Sequence, residues 1–206
     1  MDDPILKALG AFASEPTPER YRILRDAATA SPHYSPYSDN LGEVAIMLKQ
    51  GGYEAADDLL RAGMANYLLT PTAHFMMAFV ADKLGDERRR DMEAAIGRLL
   101  LQGILESGDG SREKPYLVTR IKDEHEVLSH LGKTMESQAL VNEEDGRSMD
   151  QIQCADGTTY WFDISVMFAQ LGRSLSAEPA SPTSPPTDPP EPRPTAPWWK
   201  RLGRRP

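Results

Sequence analysis

The apolar residues of this chain change their spacing once, between about Glu106 and Gly110, and that change limits the folds open to it. Upstream they recur three and four apart, the period of a helix with one buried face. Ile5, Leu6, Leu9 and Phe12 mark a first helix, and Tyr21, Leu24 and Ala28 a second, opened by Thr17 as N-cap and Pro18 at the first helical position. Leu41, Val44, Ala45 and Leu48 form the next stripe, stopped by Gly51-Gly52. Tyr53, Ala56, Leu60, Gly63, Met64 and Tyr67 read as one continuous helix. Thr70-Pro71 opens another, with Phe75, Met76, Phe79 and Leu84 expected to be buried. After Gly85-Asp86 comes the last, carrying Met92, Ile96, Leu99, Leu100 and Gly103.

Downstream the spacing becomes that of strands. Residues 115–121 read as a strand, and Asp123 as the start of a helix with Glu126 as capping-box partner and Gly132 as stop. Residues 149–154 and 158–164 flank Ala155-Asp156-Gly157, a hairpin signal that predicts a type I′ turn. Tyr160, Phe162 and Ile164 fall on one face of the second strand, Thr159, Trp161 and Asp163 on the other. A helix over about 166–175 closes the body. The fold class expected is mainly α, in the α+β sense. Antiparallel helical hairpins over 1–106 lead into a small antiparallel β-hairpin and helix cap over 107–176, and a Pro-rich tail follows over 177–206.

Ten of the 17 prolines lie from Pro179 onward, in a segment too poor in apolar residues to offset the entropy of ordering it. This tail is expected to be a disordered linker. It ends in WWKRLGRRP, where Trp198, Trp199 and Leu202 alternate with Lys200, Arg201, Arg204 and Arg205. Indoles with basic neighbours suit an anionic bilayer surface or the acidic groove of another protein, and these seven residues are the expected contact set. The body before Ala177 is of opposite character, with 28 Asp/Glu against 18 Lys/Arg. Such a surface repels phosphate backbones, which argues against nucleic acid as a partner. One cysteine cannot form an intrachain disulfide, and MDDPILKALG carries acids where an export signal needs bases. The expected location is cytoplasmic, with the tail reaching the inner membrane face.

The chemistry-bearing residues do not assemble into a recognisable set. His125 and His130 are five apart, roughly 140° around a helix at about 100° per residue, so they cannot share a metal ion. His33 and His74 are isolated. Ser107-Gly108-Asp109-Gly110 follows a helix, so the helix dipole there has the wrong sign for a phosphate cradle. Cys154 lies inside a strand and reads as a buried thiol. Asp86 to Asp91 reads as the solvated start of a helix, and Asp57-Asp58 carries no weight alone. Trp161 is the open case between core packing and an aromatic binding face. No catalytic residue, cofactor or metal is expected.

Two resemblances add to this reading. GGYEAADDLL is similar to the turn and second helix of a tetratricopeptide repeat, and AHFMMAFVADKLGDERRR to the first helix and turn of the next. Other antiparallel hairpin families share these features. ILESGDGS, EHEVLSHLG, SQALV and TYWFDIS, with TPERYRIL and SPYS upstream, resemble the bacterial domain of unknown function 4919 family over about residues 17–168. That resemblance implies a small tetratricopeptide-like array followed by a β-containing cap, and it supplies no activity, ligand or catalytic residue. The function expected is a non-enzymatic protein-interaction or adaptor module whose partner is another protein. The alternative is an enzyme of unassigned type with its site between helices and cap.

Overall fold

The structure, a computed structural model, describes residues 3–38 and 40–176. Among the described residues the chain forms nine helices and four strands. Helix α1 (Pro4–Ser14) is capped by Asp3 and α2 (Pro18–Thr29) by Thr17, whose Oγ1 accepts from the Arg20 amide at 3.3 Å. Next come α3 (Leu41–Lys49) and α4 (Tyr53–Ala62), joined through Gly51 at φ 78°. The expected helix over 53–67 is broken, because α4 stops before Gly63 and a short α5 (Met64–Tyr67) follows. The ring of Tyr67 lies on Gly63, where a Cβ would stand 2.4 Å from its Cε2.

Helices α6 (Pro71–Lys83) and α7 (Glu87–Glu106) pack together as the next pair, turned by Gly85 at φ 77°. The buried face of α6 is not the expected one. Phe79 is 43% and Leu84 40% exposed, and Phe75 and Met76 are half-buried, while Ala73, Met77, Val80 and Ala81 face inward. Helix α6 is apolar nearly all round, so spacing cannot choose its face. Small side chains take the side where neighbouring helices approach, and the large rings are left outside.

The expected strand over 115–121 shrinks to β1 (Tyr116–Leu117). Helix α8 (Ile121–His130) begins earlier than expected, with Arg120 as N-cap, and the capping carboxylate is Asp123 rather than Glu126. Its Oδ2 accepts from the amides of Thr119 and Arg120 at 2.9 and 3.0 Å. Strands β2 (Met135–Asn142), β3 (Ser148–Cys154) and β4 (Thr159–Asp163) complete a sheet in the order β1-β4-β3-β2. The β2–β3 and β3–β4 pairs are antiparallel, and β1–β4 is parallel, so the sheet is mixed and larger than the hairpin expected. Strand β2 is a largely exposed edge without an apolar face, which hid it from periodicity.

The β3–β4 hairpin forms at the expected place but not with the expected turn. Gly157 N donates to Cys154 O at 2.9 Å and Cys154 N to Thr158 O at 2.8 Å, which leaves a three-residue loop of 155–157 with Gly157 at φ 83°. This is a β-turn followed by a left-handed glycine, one residue longer than a type I′ turn. Helix α9 (Ser165–Ser176) ends the described chain. One core joins Phe12, Tyr21 and Leu24 to Leu100 and Ile104 of α7 and to Val127, Ile152, Cys154, Phe162 and Met167, so helices and sheet share it. A second core, with Leu41, Val44, Leu60, Tyr67 and Val80, lies among α3 to α6.

Candidate functional site

Where helices meet sheet, the segment 117–119 turns its main-chain carbonyls toward α2 and the loop after it. Tyr21 Oη donates to Leu117 O at 3.1 Å, Arg25 Nε and Nη2 to Val118 O at 3.2 and 3.1 Å, and Tyr34 Oη to Thr119 O at 2.7 Å. Burial pushes both phenols above their ordinary range. Arg120, 4% exposed, reaches back across the same junction. Its Nη1 donates to the carbonyls of Ser35, Pro36 and Ser38 at 3.0, 3.3 and 3.3 Å, and its Nη2 to Asn66 O at 2.6 Å and to Asn66 Oδ1. Its guanidinium lies 5.0 Å from the centre of the Tyr67 ring. These bonds hold the 35–38 loop, and with it Tyr37, against the start of α8.

Beside that loop, α8 and the sheet bury three acids. Asp123 and Glu124 are fully buried, and Asp150 of β3 is 4% exposed. Asp123 takes three donors on Oδ2, since Thr119 Oγ1 at 2.8 Å joins the two amides. Burial still pushes its carboxyl up to about 6, against the pull of those donors and of Arg120. Glu124 is in a harsher place. Burial, then the charge of Asp150, push it up to about 10. Its side chain is hydrogen-bonded to Asp150, and Gln138 Nε2 from β2 donates to Asp150 Oδ2 at 2.6 Å and to Glu124 Oε2 at 3.5 Å. No donor reaches Glu124 Oε1. An ionised Glu124 would therefore leave a buried oxygen orphaned, whereas the neutral acid donates its proton to Asp150 and the pair carries one charge.

Asp150 also forms the polar floor of a pocket of about 310 Å³. Tyr37 closes one side, Ile121 of α8 and Leu140 of β2 the rim, and Ile164, Met167 and Phe168 the opposite wall. Asp150 lies near enough to Tyr37 to raise its phenol, after the effect of burial.

A second surface lies on the helices. Ala45, Leu48 and Lys49 of α3 face Thr72, Phe75, Met76 and Phe79 of α6 across an open groove of about 460 Å³. Phe75 also lines a neighbouring groove of about 510 Å³ with Leu101 and Leu105 of α7, where Arg98, Glu126 and His130 supply polar edges. Gly97 makes room for that ring, because a Cβ there would sit 2.6 Å from Phe75 Cε1. Lys83 Nζ stands 5.1 Å over the Phe79 ring.

The residues singled out from sequence fall elsewhere. His125 and His130 are both exposed on α8. His74 is buried, with Nδ1 2.8 Å from Glu93 Oε2 and Nε2 3.0 Å from Leu68 O, so both nitrogens face acceptors. Ser107 to Gly110 form a turn in which Ser107 Oγ accepts from Leu117 N at 2.8 Å and the amides of Asp109 and Gly110 donate to Lys114 O. Cys154 is buried, and burial raises its thiol. Trp161 is half-buried under Arg112, which is held there by Glu143 through bonds of 2.9 and 3.2 Å. The 86–91 run is more than a solvated start: Arg89 pairs through both Nη atoms with Asp57 and holds that carboxyl below its ordinary range. Trp198, Trp199, Lys200, Arg201, Leu202, Arg204 and Arg205 lie outside the described residues.

Glu124 and Asp150 were not singled out, yet each carried a signal. Asp150 has the parity of Ile152 and Cys154, and Glu124 stands three and four before Val127 and Leu128, so both acids sit on apolar faces. Among the described residues no three His, Cys, Asp or Glu side chains are arranged to hold a metal ion, and no helix is long and apolar enough to cross a membrane. Compared with known proteins, the chain matches no family model, no curated protein and no solved structure.

Proposed function

We propose that this chain is a protein-interaction module of the cytoplasm, built on tetratricopeptide-like helix pairs, that takes an apolar helical segment of a partner on the outer face of α6. The observation that carries this reading is the groove between α3 and α6. Its walls are almost wholly apolar, it is open, and it leaves Phe79 at 43% exposure. Phe75 links it to the neighbouring groove, so a partner helix finds anchor positions on both sides of α6. Lys49, Lys83 and Arg98 border these grooves on an otherwise acidic body. The partner segment therefore carries apolar residues at helical spacing with acids beside them. The basic, aromatic end of the tail offers a second contact, either to the same partner or weakly to an anionic membrane.

The test is selection from a display library of helical peptides on the full chain, with Phe79→Asp as control. Enrichment of acidic peptides with apolar residues three and four apart, lost on Phe79→Asp, supports the reading. Failure to enrich, or enrichment indifferent to Phe79→Asp, removes it.

A second reading, an enzyme working between helices and sheet, is favoured by one observation. Glu124 and Asp150 place an acid and a base side by side beneath a pocket, with Tyr37 at its edge.

A further inference from the structure

We propose that the pocket over Asp150 is a binding site for a small organic cation, an ammonium group on a short apolar body, with Asp150 as its counter-ion. The inference is independent of the interaction reading, since the pocket and the α6 grooves share no lining residue.

Asp150 is 4% exposed, and its partners are the amide of Gln138 and the carboxyl of Glu124. Neither partner is a cation. The groups that act most strongly on the two carboxyls are the acids themselves and Gln138, whereas Asp123, one residue from Glu124, has Arg120 beside it. Sharing one proton lowers the charge of the pair from two to one but cannot remove it. A buried carboxylate without a cation is costly, and proteins ordinarily pair it. Here Asp150 lines a cavity.

The cavity selects what can supply the missing charge. Ile164 and Met167 at its wall are 2% and 1% exposed, and the lining near Asp150 is mostly apolar. A hydrated inorganic ion gains little there. An ammonium on a hydrocarbon body gains both a charge-assisted hydrogen bond and apolar contact. The rings of Tyr37 and Phe168 add faces that attract cations. A volume of about 310 Å³ equals about ten water molecules, which fits a ligand of roughly ten non-hydrogen atoms. Ile121 at 38% and Leu140 at 50% exposure leave the mouth open to such a molecule.

The experiment is a titration followed by methyl NMR of Ile121, Leu140, Ile164 and Met167 in the full chain. The probes are 2-phenylethylammonium, its neutral analogue 2-phenylethanol and the anion phenylacetate. The expected result is saturable shifts of the Ile164 and Met167 methyls with the ammonium, at an affinity at least about tenfold above that for the alcohol, and no binding of the anion. Asp150→Asn, checked for folding by circular dichroism, abolishes the preference for the cation over the alcohol. Leu140→Lys places a cation of the chain's own at the rim from a half-exposed position, and it blocks the ammonium without unfolding the protein. Equal binding of ammonium and alcohol to the wild type overturns the proposal whatever the variants do. So does the absence of shifts at millimolar ammonium, or a preference for the cation that survives Asp150→Asn.

Discussion

The junction of helices and sheet buries charge of both signs, and it treats the two signs differently. Arg25 and Arg120 are surrounded by main-chain carbonyls: Val118 and Asp163 for the first, which also pairs with the Asp163 carboxylate at 3.7 Å, and Ser35, Pro36, Ser38 and Asn66 for the second. Carbonyls are abundant where loops and helix ends meet, and a forked guanidinium can collect several at once. Glu124 and Asp150 have no equivalent supply. Most amides of β3 are spent in ladders to β2 and β4, and Glu124, although it lies in the first turn of α8, draws no main-chain amide onto its carboxyl, which burial and Asp150 push up instead. Asp123 makes the contrast sharper, because one residue earlier it still reaches the free amides at the helix start. Burial of a charge is thus governed by which main-chain groups are left over nearby. Cations at this junction are satisfied by the fold itself, and the acid pair is satisfied by a proton, an amide and an open pocket.

The comparison breaks most visibly at Arg120. Arg120→Met keeps much of the apolar stem and strips the donors from four carbonyls and from Asn66 Oδ1. The expected loss of unfolding free energy is about 3–5 kcal/mol by chemical denaturation. Arg120→Lys should recover little of it, because a point charge cannot span the same acceptors. A loss below about 1 kcal/mol would mean that water satisfies these groups equally well and that the arginine is not what holds the 35–38 loop.

The acid pair shows itself in pH dependence. Glu124 binds its proton more tightly folded than unfolded, so its contribution is fully present below about pH 4.5 and is lost as pH rises toward about 10. Within that window stability should fall by at most about 1.4 kcal/mol per pH unit from this group. Asp57 acts with the opposite sign: its carboxyl is depressed by Arg89, so its contribution is lost as pH falls below the ordinary carboxylate range. Glu124→Gln keeps a donor to Asp150 and should flatten the alkaline fall while leaving the acid limb in place. Equal alkaline slopes in wild type and variant would assign that fall to other groups.

Much of the architecture was legible in the sequence, and the part that was not has identifiable causes. The cap at Thr17, the turns at Gly51-Gly52 and Gly85-Asp86, and the hairpin at Asp156-Gly157 are local signals, and the elements they mark lie where expected. The face of α6 was illegible because Phe75, Met76, Met77, Phe79 and Val80 surround the helix, and only packing against α4 and α7 selects a side. The break at Gly63 depends on where the Tyr67 ring comes to rest, which is a tertiary fact. Arg120 gave no sign of its role, since its acceptors are main-chain carbonyls 54 to 85 residues away. The pocket over Asp150 could not be read either, because its walls come from five separate stretches of chain. The acids at 124 and 150 were visible as polar residues on apolar faces, and only the fold brings them together.

The central claim is that Glu124 and Asp150 share one proton at neutral pH because burial and each other's charge act on them most strongly. It is tested most directly by the side-chain carboxyl ¹³C shift of Glu124 in selectively labelled protein, assigned by its absence in Glu124→Gln and followed across pH. The expected signal is that of a protonated acid at about pH 7, with no titration until well into the alkaline range. A carboxylate signal at neutral pH, with a midpoint near the ordinary glutamate value of about 4.3, would contradict the account.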